Sequence, residues 1–214
     1  MALTFKTVID RLTDTIQRDD LVPQYLDFVN RAIHEIALAH SFEQMKSIGQ
    51  GAVAVGTTRV TLPADFKELQ DGRYPVFDSV ANSLVPVFTR PEVEKLLGQS
   101  NALGLLPKNS FIYTQDFTAG TPTFNLDLPA PDTVSHLVTM NYFAYPAAVT
   151  DPTLTTPLIT YYFNMVFQKS AALAFDSITD PAGLVHEEAY QKILAPYIQE
   201  DLEASQADIT GKRT

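Results

Sequence analysis

The sequence contains no cysteine, so disulfide bonds, thiolate nucleophiles and thiolate metal ligands are all excluded. It also lacks tryptophan, and its aromatic residues are 13 phenylalanines and 9 tyrosines. It has no uncharged apolar run of about 18 residues, the length that a membrane-spanning helix needs. The N-terminal segment is interrupted by Lys6, Asp10, Arg11 and Asp14, so it lacks the apolar core of a signal peptide. We therefore expect neither a disulfide scaffold nor a membrane segment.

Basic residues are also scarce, since 15 Lys and Arg stand against 25 Asp and Glu and give a net charge of −10. A surface of this sign repels phosphate, so the protein as a whole should not bind nucleic acid tightly. The simpler explanation of the same charge is solubility. Hydrophobic residues make up 45% of the 214 residues, which is enough for one large domain or for a domain with a sizeable insert.

Four segments have the apolar spacing of amphipathic helices, and two of them lie at each end of the chain. In the last of them, Pro196 removes one backbone hydrogen bond, so we expect a kink there. The residues from about Ala204 onward are polar and predict a tail. The predicted helices span 5–18, 23–40, 157–177 and 181–203.

The middle of the chain has the two-residue period of β-strands. Gly56-Thr57 suits a tight hairpin turn, which would place Val53 opposite Val60 on neighbouring strands. The segment 89–92 (TRPE) has the spacing of a capping box and predicts a short helix over 90–98. Further strands are expected over 74–77, 85–88, 123–128 and 134–145.

These elements predict an α+β fold that is mainly helical, namely a four-helix bundle interrupted by a β-rich insert and followed by an extended C-terminal tail. The four helices can bury one core only if the middle of the chain loops out. The predicted regions are the N-terminal helix pair (1–47), the β-rich insert (48–150), the C-terminal helix pair (151–203) and the polar tail (204–214).

Motifs that carry chemistry are missing from the sequence. No two histidines have the i, i+4 spacing of a helical metal site, and GxGxxG, P-loop and GxSxG motifs do not occur. A carboxylate pair such as Asp65 and Asp132 could serve a glycoside hydrolase. Nothing in the spacing distinguishes one pair from the others, so solvated or capping carboxylates are the better explanation. We therefore predict no catalytic residue, no metal site and no cofactor. The histidines are His34, His40, His136 and His186.

The order of motifs along the chain resembles that of the head-to-tail adaptor proteins of tailed bacteriophages, which are also called head completion or connector proteins. This chain departs from their pattern at Pro196, inside the last helix, and at Phe42, where a tryptophan often follows the second helix. The residues that carry the resemblance are 25–33 (YLDFVNRAI), 60–66 (VTLPADF), 124–131 (FNLDLPAP), 141–146 (NYFAYP) and 154–157 (LTTP).

The resemblance implies a structural virion protein, assembled in the host cytoplasm and located at the head–tail interface. Such adaptors form a ring, usually of twelve copies, that joins the portal vertex to the tail and extends the DNA channel. The implied partners are the portal protein, a tail or nozzle protein and further copies of the chain. DNA would pass through the lumen without specific binding, and no membrane is involved.

The resemblance also implies two contact regions. In such adaptors the C-terminal segment reaches the portal and the β-rich insert faces the tail. The implied portal-docking residues are Leu202, Ile209, Lys212 and Arg213. The candidate tail-facing residues are Tyr74, Phe77, Phe88, Tyr113 and Phe117. Exposed aromatic side chains would suit protein contacts, and the alternative is that most of them pack beneath the sheet.

Three other functions are compatible with the sequence. The first is another neck, tail-completion or baseplate component, which would also assemble into the virion but would bind different partners. A tail-associated cell-wall hydrolase would need Asp or Glu side chains that converge in a cleft, one of them with a raised pKa. A cytosolic regulatory helical bundle is the third alternative.

Overall fold

The computed structural model describes residues 3–70, 75–99, 110–118, 121–128 and 131–209, and for 96–99, 116–118, 121–124 and 200–209 it describes the backbone alone. The fold is of the α+β class, because helices and strands occupy separate stretches of the chain apart from one helix (Arg90–Gln99) among the strands. Residues 1–44 and 146–214 form one unit, here called the helical unit, and residues 45–145 form a second, the β unit.

The elements follow in chain order. The first part contains α1 (Phe5–Ile16), α2 (Tyr25–Ala39), β1 (Lys46–Val53), β2 (Arg59–Thr61), β3 (Phe66–Leu69), β4 (Val76–Asp78), β5 (Ser83–Val85) and β6 (Val87–Thr89). The second part contains α3 (Arg90–Gln99), β7 (Phe111–Thr118), β8 (Thr121–Asp127), β9 (His136–Ala144), α4 (Pro157–Ser177) and α5 (Ala182–Ile209).

Helix α1 is defined at both ends by local hydrogen bonds. The Thr4 hydroxyl accepts from the Thr7 N–H at 3.3 Å, and the Thr7 hydroxyl accepts from the Thr4 N–H at 3.3 Å. Gln17 ends the helix in the left-handed conformation, with φ of 53°. One face is buried, as its apolar spacing predicts, through Phe5, Val8, Leu12 and Ile16.

The other helix boundaries differ in part from those predicted. Helix α2 starts at Tyr25 because residues 19–24, including Pro23, form a 3-10 turn. Helix α4 starts after Thr156, whose hydroxyl accepts from the Ile159 N–H at 3.4 Å. The predicted end of the last helix near residue 203 is wrong, since α5 continues to Ile209. No glycine or proline follows Pro196 before Gly211 to stop it.

Helix α4 is the centre of the helical unit, and it contacts α1, α2 and α5. Its side chains Leu158, Ile159 and Met165 are buried with Phe5 and Tyr25 from the first two helices. The arrangement of the four helices as a bundle stays a prediction. In the described part of the chain, no helix combines the length and apolar content that a membrane crossing requires.

The β unit consists of two sheets that enclose one core. In the five-stranded sheet, β9 pairs with β1 on one side and with β3 and β4 on the other, and β5 pairs with β4. The four-stranded sheet has the order β2-β8-β7-β6, in which β6 runs parallel to β7 across the intervening α3. Residues of both sheets share one buried cluster, including Val53, Val60, Phe111, Leu126 and Met140.

The predicted hairpin at Gly56-Thr57 is wrong. The chain does turn there, with Gly56 at φ of 76°, but β1 pairs with β9 and β2 pairs with β8. Val53 and Val60 lie in one core because they face each other from two sheets, and not as neighbours in one sheet. The long strands β8 and β9 offer more backbone pairing than the two short strands could offer each other.

The helix predicted from the capping-box spacing at 89–92 is confirmed as α3, and the glutamate half of the box is present. The Glu92 carboxylate accepts from the Thr89 N–H at 2.7 Å and from the Thr89 hydroxyl at 2.9 Å. Helix α3 therefore begins where its sequence predicts, directly after β6.

Candidate interaction surface

The outer face of the five-stranded sheet is the surface that points away from the core of the β unit. Its residues are defined by the strand registers, because every second side chain of a strand points to the same face. Across the four strands, Gln50 lies opposite Thr139, Thr139 opposite Phe77, and Phe77 opposite Leu84. The centre of the outer sheet face consists of Ile48, Gln50, Ala52, Phe77, Leu84, Leu137, Thr139 and Asn141, and Lys46 lies opposite Phe143 at its edge.

The centre of this outer sheet face is largely apolar and exposed, and its one charged neighbour on β1, Lys46, lies at the edge. The exposed fractions are 69% for Ile48, 56% for Leu84, 52% for Leu137 and 39% for Phe77. None of the eight residues is charged, although the chain as a whole carries a net charge of −10. Contiguous apolar surface without charge is characteristic of protein–protein contacts, whose centres are depleted of charged residues.

The predicted tail-facing residues differ in how far they are exposed in the structure. Phe77 is exposed on the outer sheet face, as expected. The predicted exposure of Phe88 is wrong, because it is 4% exposed and packs against Val93 of α3. The side chain of Phe117 and the whole of Tyr74 lie outside the described residues.

Tyr113 is half-buried rather than exposed. Its ring lies 6.0 Å from that of Phe66, and burial raises the pKa of its hydroxyl to about 12. It lines a small cavity of about 190 Å³ together with Glu68, Leu69 and Val87. The Tyr113 side chain therefore serves mainly the packing of the β unit.

The predicted portal-docking residues lie at the end of α5 and beyond it. Leu202 and Ile209 belong to the helix, whose backbone is described up to Ile209. Lys212 and Arg213 lie outside the described residues. The docking role of these four residues stays a prediction.

The β unit contains a buried polar array that was not predicted from the sequence. His136 Nδ1 lies 2.8 Å from Asp78 Oδ2, and His136 Nε2 lies 3.3 Å from Asp132 Oδ2. The Asp78 and His136 side chains are 0% exposed, and the Asp78 carboxylate also accepts from the Val80 N–H at 2.9 Å. Because no solvent reaches the imidazole or Asp78, the array is suited to holding β4 against β9 and not to acting on a substrate.

The carboxylates considered for a hydrolase have separate partners. Asp65 accepts from the Tyr142 hydroxyl at 3.0 Å, whereas Asp132 contacts His136. Hydrogen bonds from the Thr133 N–H and contact with His136 hold the pKa of Asp132 below its usual value, whereas a catalytic acid needs a raised pKa. Across the described ranges, no group of three or more His, Asp or Glu side chains is placed to hold a metal ion.

Comparison with known proteins identifies the family. The model of the SU10 adaptor protein family matches residues 3–211, and so covers both the helical unit and the β unit. No curated protein matches the chain. Because the family match extends over nearly the whole length, the chain belongs to the SU10 adaptor protein family and is a phage adaptor-type protein.

Proposed function

We propose that this protein forms a ring that joins the portal vertex of a phage head to the tail and extends the DNA channel. The observation that carries the proposal is the adaptor family match over residues 3–211. The net charge of −10 supports it, because an acidic lumen lets DNA slide without binding. A cyclic ring also needs two different complementary surfaces on each copy, and a chain of two units has ample surface for both.

The outer sheet face is the surface that we propose for the tail or nozzle protein. It belongs to the β unit, the part of the chain that the resemblance assigns to the tail side. The eight residues at its centre are uncharged, so they could be buried without a desolvation cost for charge. Portal contact would fall at the C-terminal end of the sequence, with Leu202 and Ile209 of α5 as its apolar residues.

Portal capture tests the proposed function directly. The purified chain should co-sediment with the portal protein of the same phage at about one chain per portal subunit, and imaging of the complex should show a closed ring. A chain that stays separate from the portal would contradict the proposal. A ring bound elsewhere in the tail would favour another neck, tail-completion or baseplate role.

A charge placed on the outer sheet face should block tail joining and leave portal capture intact. We expect Leu84→Lys to weaken tail-protein binding by about tenfold or more, because a buried lysine without a partner costs more than about 1.4 kcal/mol. Binding of the tail protein to the portal–adaptor complex would be measured by sedimentation. The control is Val55→Lys, at a position that is 62% exposed but outside this face. Equal binding by both variants would contradict the assignment of the face.

A further inference from the structure

Strand β1 forms one edge of the five-stranded sheet, because β9 is its only partner among the described strands. The pairing is continuous over eight residues, from Lys46 opposite Phe143 to Val53 opposite His136, without a β-bulge. An edge strand presents a row of backbone N–H and C=O groups that no neighbouring strand has taken up. The open edge of β1 is therefore long enough to pair with a complete further strand.

The hydrogen bonds of β9 show which residues of β1 face this open edge. Asn141 directs both of its backbone groups away from β1, since its N–H donates to the Pro75 carbonyl at 3.1 Å and its carbonyl accepts from the Gln70 N–H at 3.0 Å. Asn141 lies opposite Ile48, so these two residues are not bonded to each other. The direction of the backbone groups alternates along a strand. The residues of β1 that face the open edge are therefore Ile48, Gln50 and Ala52.

These three edge residues are accessible to a partner. Within the described part of the chain, no backbone or side-chain group bonds to their edge-facing N–H and C=O groups, and their side chains are exposed. The inner side of the strand is closed, because a Cβ atom at Gly49 would lie 3.1 Å from Pro63 Cγ. A partner can therefore approach β1 along the edge and over the outer sheet face.

The strands at the other sheet edges are protected in ways that β1 is not. Strands β2, β5 and β6 have three residues each, and α3 begins directly after β6. Strand β2 also carries a charge, Arg59, which pairs with Asp127 at 2.7 Å. Strand β1 contains no proline and no carboxylate, and its one charged residue stands at its start. Because soluble proteins usually shorten, charge or distort an exposed edge, an edge left open over eight residues indicates a partner strand.

We propose that an extended segment of the tail or nozzle protein pairs with the open edge of β1 and continues the five-stranded sheet. This inference rests on the proposed function and adds the way in which the contact is made, through backbone hydrogen bonds to Ile48, Gln50 and Ala52. Every second side chain of the added strand would extend the outer sheet face beside Ile48. A segment with uncharged apolar residues at alternate positions therefore fits this edge.

A second copy of the chain does not fit the edge as well. If β1 paired with β1 of another copy, a two-fold axis would relate the two strands, and such a contact closes a pair and cannot continue around a ring. Strands β2, β5 and β6 of another copy could cover only three of the eight positions. By contrast, the side chains of the edge residues belong to the outer sheet face, so a partner bound there already lies beside the edge.

Amide hydrogen exchange tests the pairing. In the portal–adaptor complex, the amides of Ile48, Gln50 and Ala52 should exchange rapidly, whereas those of Gly49 and Gly51, which face β9, should exchange slowly. Adding the tail or nozzle protein of the same phage should slow exchange at the three edge amides by about tenfold or more. The rates would be measured by mass spectrometry with fragmentation to single residues.

Two results of this measurement would overturn the inference. If the tail protein bound without slowing the three edge amides, side chains alone would make the contact. If the edge amides were already slow before the tail protein was added, a neighbouring copy would occupy the edge. If the tail protein did not bind the portal–adaptor complex at all, the proposed function would fail as well, which distinguishes the two failures.

Gln50→Pro provides a second test, because proline removes an N–H that faces the open edge and no bond to β9. The matched control is Gln50→Ala, which removes the same side chain but keeps the N–H. The proline variant should bind the tail protein about tenfold or more weakly than the alanine variant, since a carbonyl of the added strand is left without a donor. Both variants should still be captured by the portal. Equal tail binding by the two folded variants would overturn the inference, and if Gln50→Pro did not fold, Ala52→Pro against Ala52→Ser would replace the comparison.

Discussion

Replacing His136 with leucine should lower the free energy of unfolding by about 3–5 kcal/mol, because it leaves the buried Asp78 carboxylate without its main partner. Asp78 and His136 are 0% exposed, and their side chains meet at 2.8 Å. After the substitution, Asp78 would retain the hydrogen bond from the Val80 N–H. Urea unfolding followed by circular dichroism, with the β-unit transition compared between variants, would measure the loss.

Two further variants separate this effect from a general loss of packing. Asp132→Asn should cost less than about 1 kcal/mol, because the Asp132 side chain is 39% exposed. Combining Asp78→Leu with His136→Leu should cost less than the sum of the single changes, since no buried charge remains. Equal losses for His136→Leu and Asp132→Asn would contradict a special role for the buried pair.

Replacing Gly51 with alanine should destabilise the β unit by about 1–3 kcal/mol, because it forces the two sheets apart. A Cβ atom at Gly51 would lie 2.7 Å from Val60 Cγ1, well inside normal contact distance. Val60 is 3% exposed and belongs to the opposite sheet, so it has little room to move. Thermal unfolding of the variant would detect the loss.

Removal of the opposing methyl groups provides the control for this prediction. In a Val60→Ala background, the added cost of Gly51→Ala should largely disappear, because Val60 Cγ1 is absent. Gln50→Ala, on the exposed outer face of the same strand, should change stability by less than about 0.5 kcal/mol. If Gly51→Ala cost as much in the Val60→Ala background, sheet separation would not be the cause.

The helices were the most predictable part of the fold. The spacing of Phe5, Val8, Leu12 and Ile16 encodes a buried stripe that depends only on the geometry of one helix. Strand alternation likewise predicts burial of Val53 and Val60. It does not specify a partner strand, and β1 and β2 each pair with a strand more than 60 residues away in the sequence. Local patterns therefore predict the buried faces but not the sheet order.

The exposure of the predicted tail-facing residues shows the same limit. Phe77 and Phe88 each lie in a three-residue strand and follow a valine, so their local sequences hardly differ. Phe77 is exposed, whereas α3 covers Phe88 through Val93. The array around His136 could not be predicted from the local sequence either, because Asp78 is brought to His136 by the pairing of β4 with β9. Both outcomes depend on contacts between distant segments.

The pairing of β1 with β9 brings together the two points where the chain enters and leaves the β unit. Lys46, the first residue of β1, lies opposite Phe143 near the end of β9. Antiparallel partners are separated by about 5 Å between Cα atoms. The β unit of about a hundred residues therefore connects the two parts of the helical unit through ends that lie only a few ångströms apart. Because this connection is short once the β unit has folded, little loop-closure entropy opposes the packing of the helices. A chain built this way can exchange or enlarge its β unit without rebuilding the helices of the helical unit.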